Sequence, residues 1–343
     1  MIEVRTLTDG GQTAESVAAM IADFVSEARA TLDLALYDLA LGAATRSIVS
    51  DAMTAASRRG VRIRLAYNRD RRVPIPVPPP SAPDVDWLAP SLAESRPIAG
   101  IPSLMHQKYV IRDGADVWTG STNWRDDAWT RVENVIAIVA APAIAALYAR
   151  DFEQLWARGV GPSGDVDVEP ISLATATVRV WFCPGRARSL VHRIARAVGR
   201  AQTRVRIASP IVTAAPILAT LVETAADRRL DLAGVLDATQ MREVATQWEM
   251  QHRRWKRHLM TALLETAPFS GKASTPWSPS SVHDFMHAKV TVADGRTFIG
   301  SYNLSHAGED NAENVLEIED AALAERMAKF VDELRSRYPR LVL

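Results

Sequence analysis

Apolar and polar positions along the chain change period in a regular order. Residues 13–30 carry Val17, Ile21, Phe24, Val25 and Ala28 on one helical face. The stretch TLDLALYDLAL that follows is continuously apolar enough for a buried strand. A second helix is predicted over about 44–59, stopped by Gly60, and Val61, Ile63, Leu65 and Tyr67 then alternate at strand spacing. The same order returns later. A helix over about 188–200 precedes TRVRIASPIV, and a helix over 214–228 precedes the strand LDLAGVLD. VIAIVAAPAIAAL, residues 135–147, reads as a buried strand turning into a helix at Pro142. Helix and strand alternate in both parts, which predicts α/β layers with helices covering a sheet, built twice. Gly, Pro and Ser concentrate at 157–170, so the expected division is 1–160 and 161–343.

Two segments break the repetition. Residues 69–103 are rich in proline and exclude a regular helix or a central strand. They suit either a functional wall over a site or an exposed insertion. Residues 246–264, TQWEMQHRRWKRHLMTALL, predict one helix bearing Arg253, Arg254, Lys256 and Arg257 between tryptophans. Such a helix can follow a phosphate backbone, or it can be a solvated face with its tryptophans packed inward.

Composition narrows the class without naming it. A 48% hydrophobic and 23% charged chain of 343 residues builds a substantial core. Its 40 basic and 40 acidic side chains cancel, so any attraction for anions has to be local. The single cysteine, Cys183, excludes an internal disulfide framework and reads as apolar filling. An acid at position 3, no apolar leader and no membrane-length run predict a cytoplasmic protein.

The chemistry lies in a string written twice. MHQKYVIRDGADVWTGSTNW places His106, Lys108, Asp113, Gly120, Ser121 and Asn123 before Glu133-Asn134. MHAKVTVADGRTFIGSYNL places His287, Lys289, Asp294, Gly300, Ser301 and Asn303 before Glu313-Asn314. The histidines are 287 − 106 = 181 positions apart, and the step from Asn to Glu is ten in each copy. Positions two apart in an extended segment share a face, so His and Lys point together while Gln107 points away. The Asp-Gly turn sends the chain back and returns Ser and Asn beside them. Each copy thus presents an imidazole, an ammonium, a hydroxyl and an amide.

Face to face, two copies supply a nucleophile, a proton donor and cationic stabilisation of equatorial phosphoryl oxygens. Glu133 and Glu313 are the candidates to orient the histidines. Two lysines on these surfaces disfavour a divalent metal, and no cofactor is expected.

HxKxxxxD followed by GSxN, twice in one chain, resembles the phospholipase D superfamily, also called the HKD family. The resemblance implies a pseudo-twofold duplicated α/β sandwich, each half a mixed β-sheet flanked by helices, with the active site between the halves. It implies metal-free phosphodiester chemistry through a phosphohistidine, with His106 as nucleophile and His287 as acid and then base. It implies supporting roles for Asp113 and Asp294 away from the phosphate, and a monomer, since one chain carries both motifs. Nucleic acid is the substrate expected from the basic segment. Phospholipid headgroups, reached by hydrolysis or by transfer, are the alternative, and a non-catalytic phosphate-binding module is a second one.

Overall fold

The computed structural model describes residues 1–69, 83–227, 229–276, 278 and 281–343. The first sheet has seven strands, in spatial order Ile2–Leu7, Asn134–Ala140, Asp116–Gly120, Lys108–Arg112, Thr31–Leu36, Arg62–Asn68 and Glu94–Ile98. The second has eight: Ile171–Ser172, Thr177–Cys183, Glu313–Glu319, Arg296–Gly300, Val290–Ala293, Arg204–Ser209, Asp231–Asp237 and Phe269–Lys272. Without the short Ile171–Ser172 edge, the two orders are identical strand for strand. Both sheets are mixed. Thr31–Leu36 runs parallel to Arg62–Asn68 and antiparallel to Lys108–Arg112, and Arg204–Ser209 stands in the same relation to its neighbours.

Five layers result. Outer helices Ala14–Ser26 and Ala43–Arg58 cover one face of the first sheet through Val17, Ile21, Val49 and Met53. Ala187–Gly199 and Ala215–Ala225 cover the second sheet in the same manner. Between the sheets lie Pro142–Arg158 and Ala321–Arg337, whose Tyr148, Phe152, Met327 and Val331 join apolar residues of both sheets in one core. Removing a buried aromatic such as Phe152 from this shared layer would cost about 3–5 kcal/mol.

The two outer helices show which constraints the repeat kept. Val17, Ile21 and Val25 correspond to Leu190, Ile194 and Val198, all buried. The outward positions Glu15, Asp23 and Glu27 correspond to Arg188, Arg196 and Arg200, so surface charge reversed while the core stripe stayed.

The two symmetry-breaking segments occupy the same place in each half, between the last two strands of the sheet. In the first half, residues 70–82 of the proline-rich stretch lie outside the described residues. The remainder forms a 3-10 helix, Asp86–Ser91, and the edge strand Glu94–Ile98, where Pro97 is tolerated because only one side is paired. In the second half the expected single helix over 246–264 is two, Ala238–Met250 and Arg254–Thr266. They are separated at His252, whose φ of 56° is left-handed and ends the first helix. The stretch TLDLALYDLAL is likewise interrupted: Thr31–Leu36 joins the sheet, while Leu39–Ala40 pairs with Trp124–Arg125. Among the described residues no helix is long and apolar enough to cross a membrane.

Candidate active site

Each motif begins just before a central strand and folds in the same way. Lys108 Nζ donates to the His106 carbonyl at 2.7 Å, and Lys289 Nζ to the His287 carbonyl at 2.6 Å. At the other end of each strand the motif aspartate makes the turn, with φ of 53° at Asp113 and 50° at Asp294. The Asp113 carboxylate accepts the backbone N–H groups of Arg29, Ala30 and Thr31 at 2.7–2.9 Å. Asp294 accepts those of Gln202, Thr203 and Arg204 at 2.8–3.0 Å. These bonds outweigh partial burial and hold both carboxyls below their ordinary range, Asp294 at about 2. Both therefore tie the start of a neighbouring strand and stand away from the histidines.

The glycine before each serine permits a close strand approach. A Cβ at Gly120 would lie 2.1 Å from the Val135 carbonyl oxygen, and one at Gly300 2.0 Å from that of Asn314. The serine then grips the opposing strand. Ser121 Oγ donates to Asn134 Oδ1 at 2.8 Å and accepts the Val135 N–H at 2.9 Å. Ser301 Oγ donates to Glu313 Oε2 at 2.6 Å and accepts the Asn314 N–H at 3.0 Å.

The group each serine holds orients the histidine of the other half. Glu313 meets His106 Nδ1 with both oxygens, at 2.8 and 2.9 Å. Asn134 Oδ1 lies 3.2 Å from His287 Nδ1. The structure thus makes Asn134 the counterpart of Glu313, which corrects the expected pairing of Glu133 with Glu313. From serine to orienting residue the first copy counts 134 − 121 = 13 and the second 313 − 301 = 12. That extra residue slips the strand by one position and turns Glu133 to the opposite face. The backbone agrees, since His287 N–H donates to the Glu133 carbonyl where His106 N–H donates to that of Ala312. The Glu133 side chain instead binds Lys272 Nζ at 2.7 Å and the Tyr338 hydroxyl, an ionic link from the first half to the second. It does not orient His287.

Further residues complete the site without a motif to announce them. The Tyr37 ring meets His106 edge-on at 4.6 Å, and Lys108 Nζ sits 4.9 Å from the Tyr37 centroid. Met105 N–H is held by Asn68 Oδ1 at 2.9 Å and Met286 N–H by Asp237 Oδ2 at 3.0 Å, so both motif entrances are anchored alike. Gln107 faces away from the pocket, as strand alternation requires, and bonds Asp151 and Asn314. Asn123 Oδ1 and Asn303 Oδ1 are buried without a hydrogen-bond partner among the described residues. Turning either amide over would put a donor NH₂ where the unpartnered oxygen stands.

Charge is unevenly shared between the halves. Burial pushes His287 well below its ordinary value, and the positive charges of Lys289, Lys108 and His106 add to this. Burial and Lys108 likewise depress Lys289, against the pull of Glu313. Burial raises Glu313 to about 8, although Lys108, Ser301, Asn311 and Lys289 all favour its carboxylate. His287 is therefore kept neutral, and the Glu313 carboxyl facing His106 holds its proton more tightly than an ordinary carboxyl.

The basic segment divides between its two readings. Lys256 is buried and donates to the Thr213 carbonyl at 2.8 Å, and Arg257 is paired with Glu249. Arg253 and Arg254 remain on the surface. Among the described residues no three His, Cys, Asp or Glu side chains gather as a metal site.

A duplicated mixed-sheet fold that brings two HxK motifs together, so that Lys108, Lys289 and His106 all act on His287, defines a protein of the phospholipase D type. The family model described as the PLD-like domain of cardiolipin synthase matches residues 21–156 and again 194–335, so the chain belongs to that family. The mitochondrial cardiolipin hydrolase of Chlamydomonas reinhardtii is 25% identical over 134 residues, 39% of this chain and 55% of that protein. The match therefore spans about half the length of this relative. Among solved structures, phosphatidylserine synthase of Haemophilus influenzae superposes with a TM-score of 0.68 at 12% identity, over 98% of this chain and 86% of that one. Polyphosphate kinase of Porphyromonas gingivalis gives 0.58 at 10% identity, over 97% of this chain and 50% of that one. At such identities both likenesses concern the fold.

Proposed function

We propose that the protein is a metal-independent phosphodiesterase working through a phosphohistidine. The observation that carries this is the crossed pairing, in which each half fixes the imidazole of the other at Nδ1 and so commits Nε2 to the reaction. The family pattern would give the attack to His106. The partners favour the opposite order. A nucleophile has to be neutral, and His287 faces an uncharged amide and nearby ammonium groups. An acid has to be protonated, and His106 faces a carboxylate.

In this scheme His287 Nε2 attacks phosphorus, and the ester P–O bond breaks as His106 gives its proton to the leaving oxygen. His106, now neutral, takes a proton from water, whose oxygen displaces His287 and yields the phosphomonoester. An alcohol in place of water gives transfer instead of hydrolysis. Lys108, Lys289, Asn123 and Asn303 stabilise the equatorial oxygens.

For substrate we favour a phospholipid headgroup diester. The family's cardiolipin synthase description and the curated cardiolipin hydrolase relative support that reading. Nucleic acid hydrolysis is the second reading, kept by the exposed Arg253 and Arg254. A panel of cardiolipin, phosphatidylcholine, single-stranded DNA and duplex DNA, assayed in EDTA, separates them. Headgroup release without cleavage of DNA is expected, and DNA cleavage with inert lipids would reverse the preference.

A further inference from the structure

Apolar side chains left in water are informative when they cluster by location. Six large ones are exposed among the described residues, and Met1 and Val342 are terminal. The other four are Ile101, Met250, Trp255 and Val282, at 57%, 68%, 50% and 44% exposure. Ile101 and Val282 are pseudo-equivalent, since 106 − 101 and 287 − 282 both equal five. Each lies on the segment entering a catalytic motif.

Met250 and Trp255 cap the helical hairpin that breaks the symmetry of the second half. Both ends of that hairpin are tied to the site. Asp237, at the start of the first helix, holds the N–H of Met286, the residue before His287, at 3.0 Å. Lys256, next to Trp255, donates to the Thr213 carbonyl at 2.8 Å, and Thr213 N–H donates to Leu304, the residue after Asn303, at 2.8 Å.

The apolar tip also carries positive charge. Arg253 and Arg254 are exposed, and among the described residues neither has a carboxylate partner. The nearest acid in sequence, Glu249, is already paired with Arg257. A tryptophan and a methionine projecting beside two arginines suit the headgroup boundary of a bilayer, where aromatic rings settle and cations meet anionic lipid. Nucleic acid would use the arginines and the indole but would gain little from Met250, Ile101 and Val282.

We infer that the hairpin tip 250–255, with Ile101 and Val282, is an interfacial surface that seats the active site on an anionic phospholipid bilayer. This rests on the phospholipid reading above but is tested apart from it. Sedimentation with phosphatidylcholine vesicles, with and without phosphatidylglycerol, reads docking directly. Wild type partitions onto the anionic vesicles, and His106→Ala protein does so equally, because docking precedes chemistry. Met250→Ser/Trp255→Ser and Arg253→Glu/Arg254→Glu each lower the partition coefficient roughly tenfold or more. Circular-dichroism melting separates loss of docking from loss of fold. Failure of wild type to bind, or unchanged partition of both variants, overturns the inference. So does binding to a single-stranded oligonucleotide that the arginine reversals abolish while vesicles are ignored.

Discussion

His106 and His287 sit at equivalent places in two sheets whose seven shared strands follow the same order, yet one faces Glu313 and the other Asn134. The difference comes from a single residue of loop length, because a one-position slip in a strand exchanges its faces. Duplication delivers two equal imidazoles, whereas catalysis by attack and protonation needs unequal ones. A carboxylate for one ring and an amide for the other creates that inequality without disturbing the surrounding strands. Glu133, displaced from the pocket by the same slip, holds the halves together through Lys272 and Tyr338.

The bluntest way to test the comparison is to remove each ring. His106→Ala and His287→Ala should both lower turnover of a soluble diester by about 10⁴-fold or more, with melting temperatures near wild type. Turnover of either variant within tenfold of wild type would remove the pair from the mechanism.

Glu313→Gln should cost roughly a hundredfold and change the pH profile. Glu313 is raised to about 8, so under the proposed scheme, which needs a proton held between His106 and Glu313, activity should fall as pH rises through about 8. With a glutamine that alkaline limb should move down toward the ordinary histidine range, near 6.5. An unmoved limb would show that Glu313 does not hold the catalytic proton.

Asn134→Asp is the sharper and gentler probe. A second carboxylate would raise the depressed His287 and move the acid limb of the profile up by about one to two units. Turnover at neutral pH should stay within about tenfold of wild type. Should the acid limb stay fixed, Asn134 does not orient the attacking ring.

The smallest effects belong to the turn aspartates, where the halves are alike. Asp113→Asn and Asp294→Asn should each destabilise by about 1–2 kcal/mol in urea titration, through weakened backbone bonds, and leave the pH profile in place. A large loss of turnover from either would contradict their separation from the pocket.

Much of this was legible in the residues. HxK at spacing two, the Asp-Gly turn and the returning GSxN predict each half of the pocket, because strand alternation and turn chemistry are local. The buried stripe Val17, Ile21 and Val25 shows in its period alone. The crossed pairing was not legible, since it depends on how residues 124–133 bridge to the next strand, and matching Glu-Asn pairs conceal the slip. Tyr37 reaches the site, and Lys272 reaches Glu133, through tertiary packing that no short spacing encodes. The break at His252 was hidden because neither glycine nor proline marks it.

The most direct test of the account stops turnover of a ³²P-labelled diester with alkali, which preserves phosphohistidine, and locates the label by peptide mapping. Label on the peptide containing His287, retained in Glu313→Gln and absent from His287→Ala, is the predicted result. Label on His106, or no covalent phosphate during turnover, would contradict it.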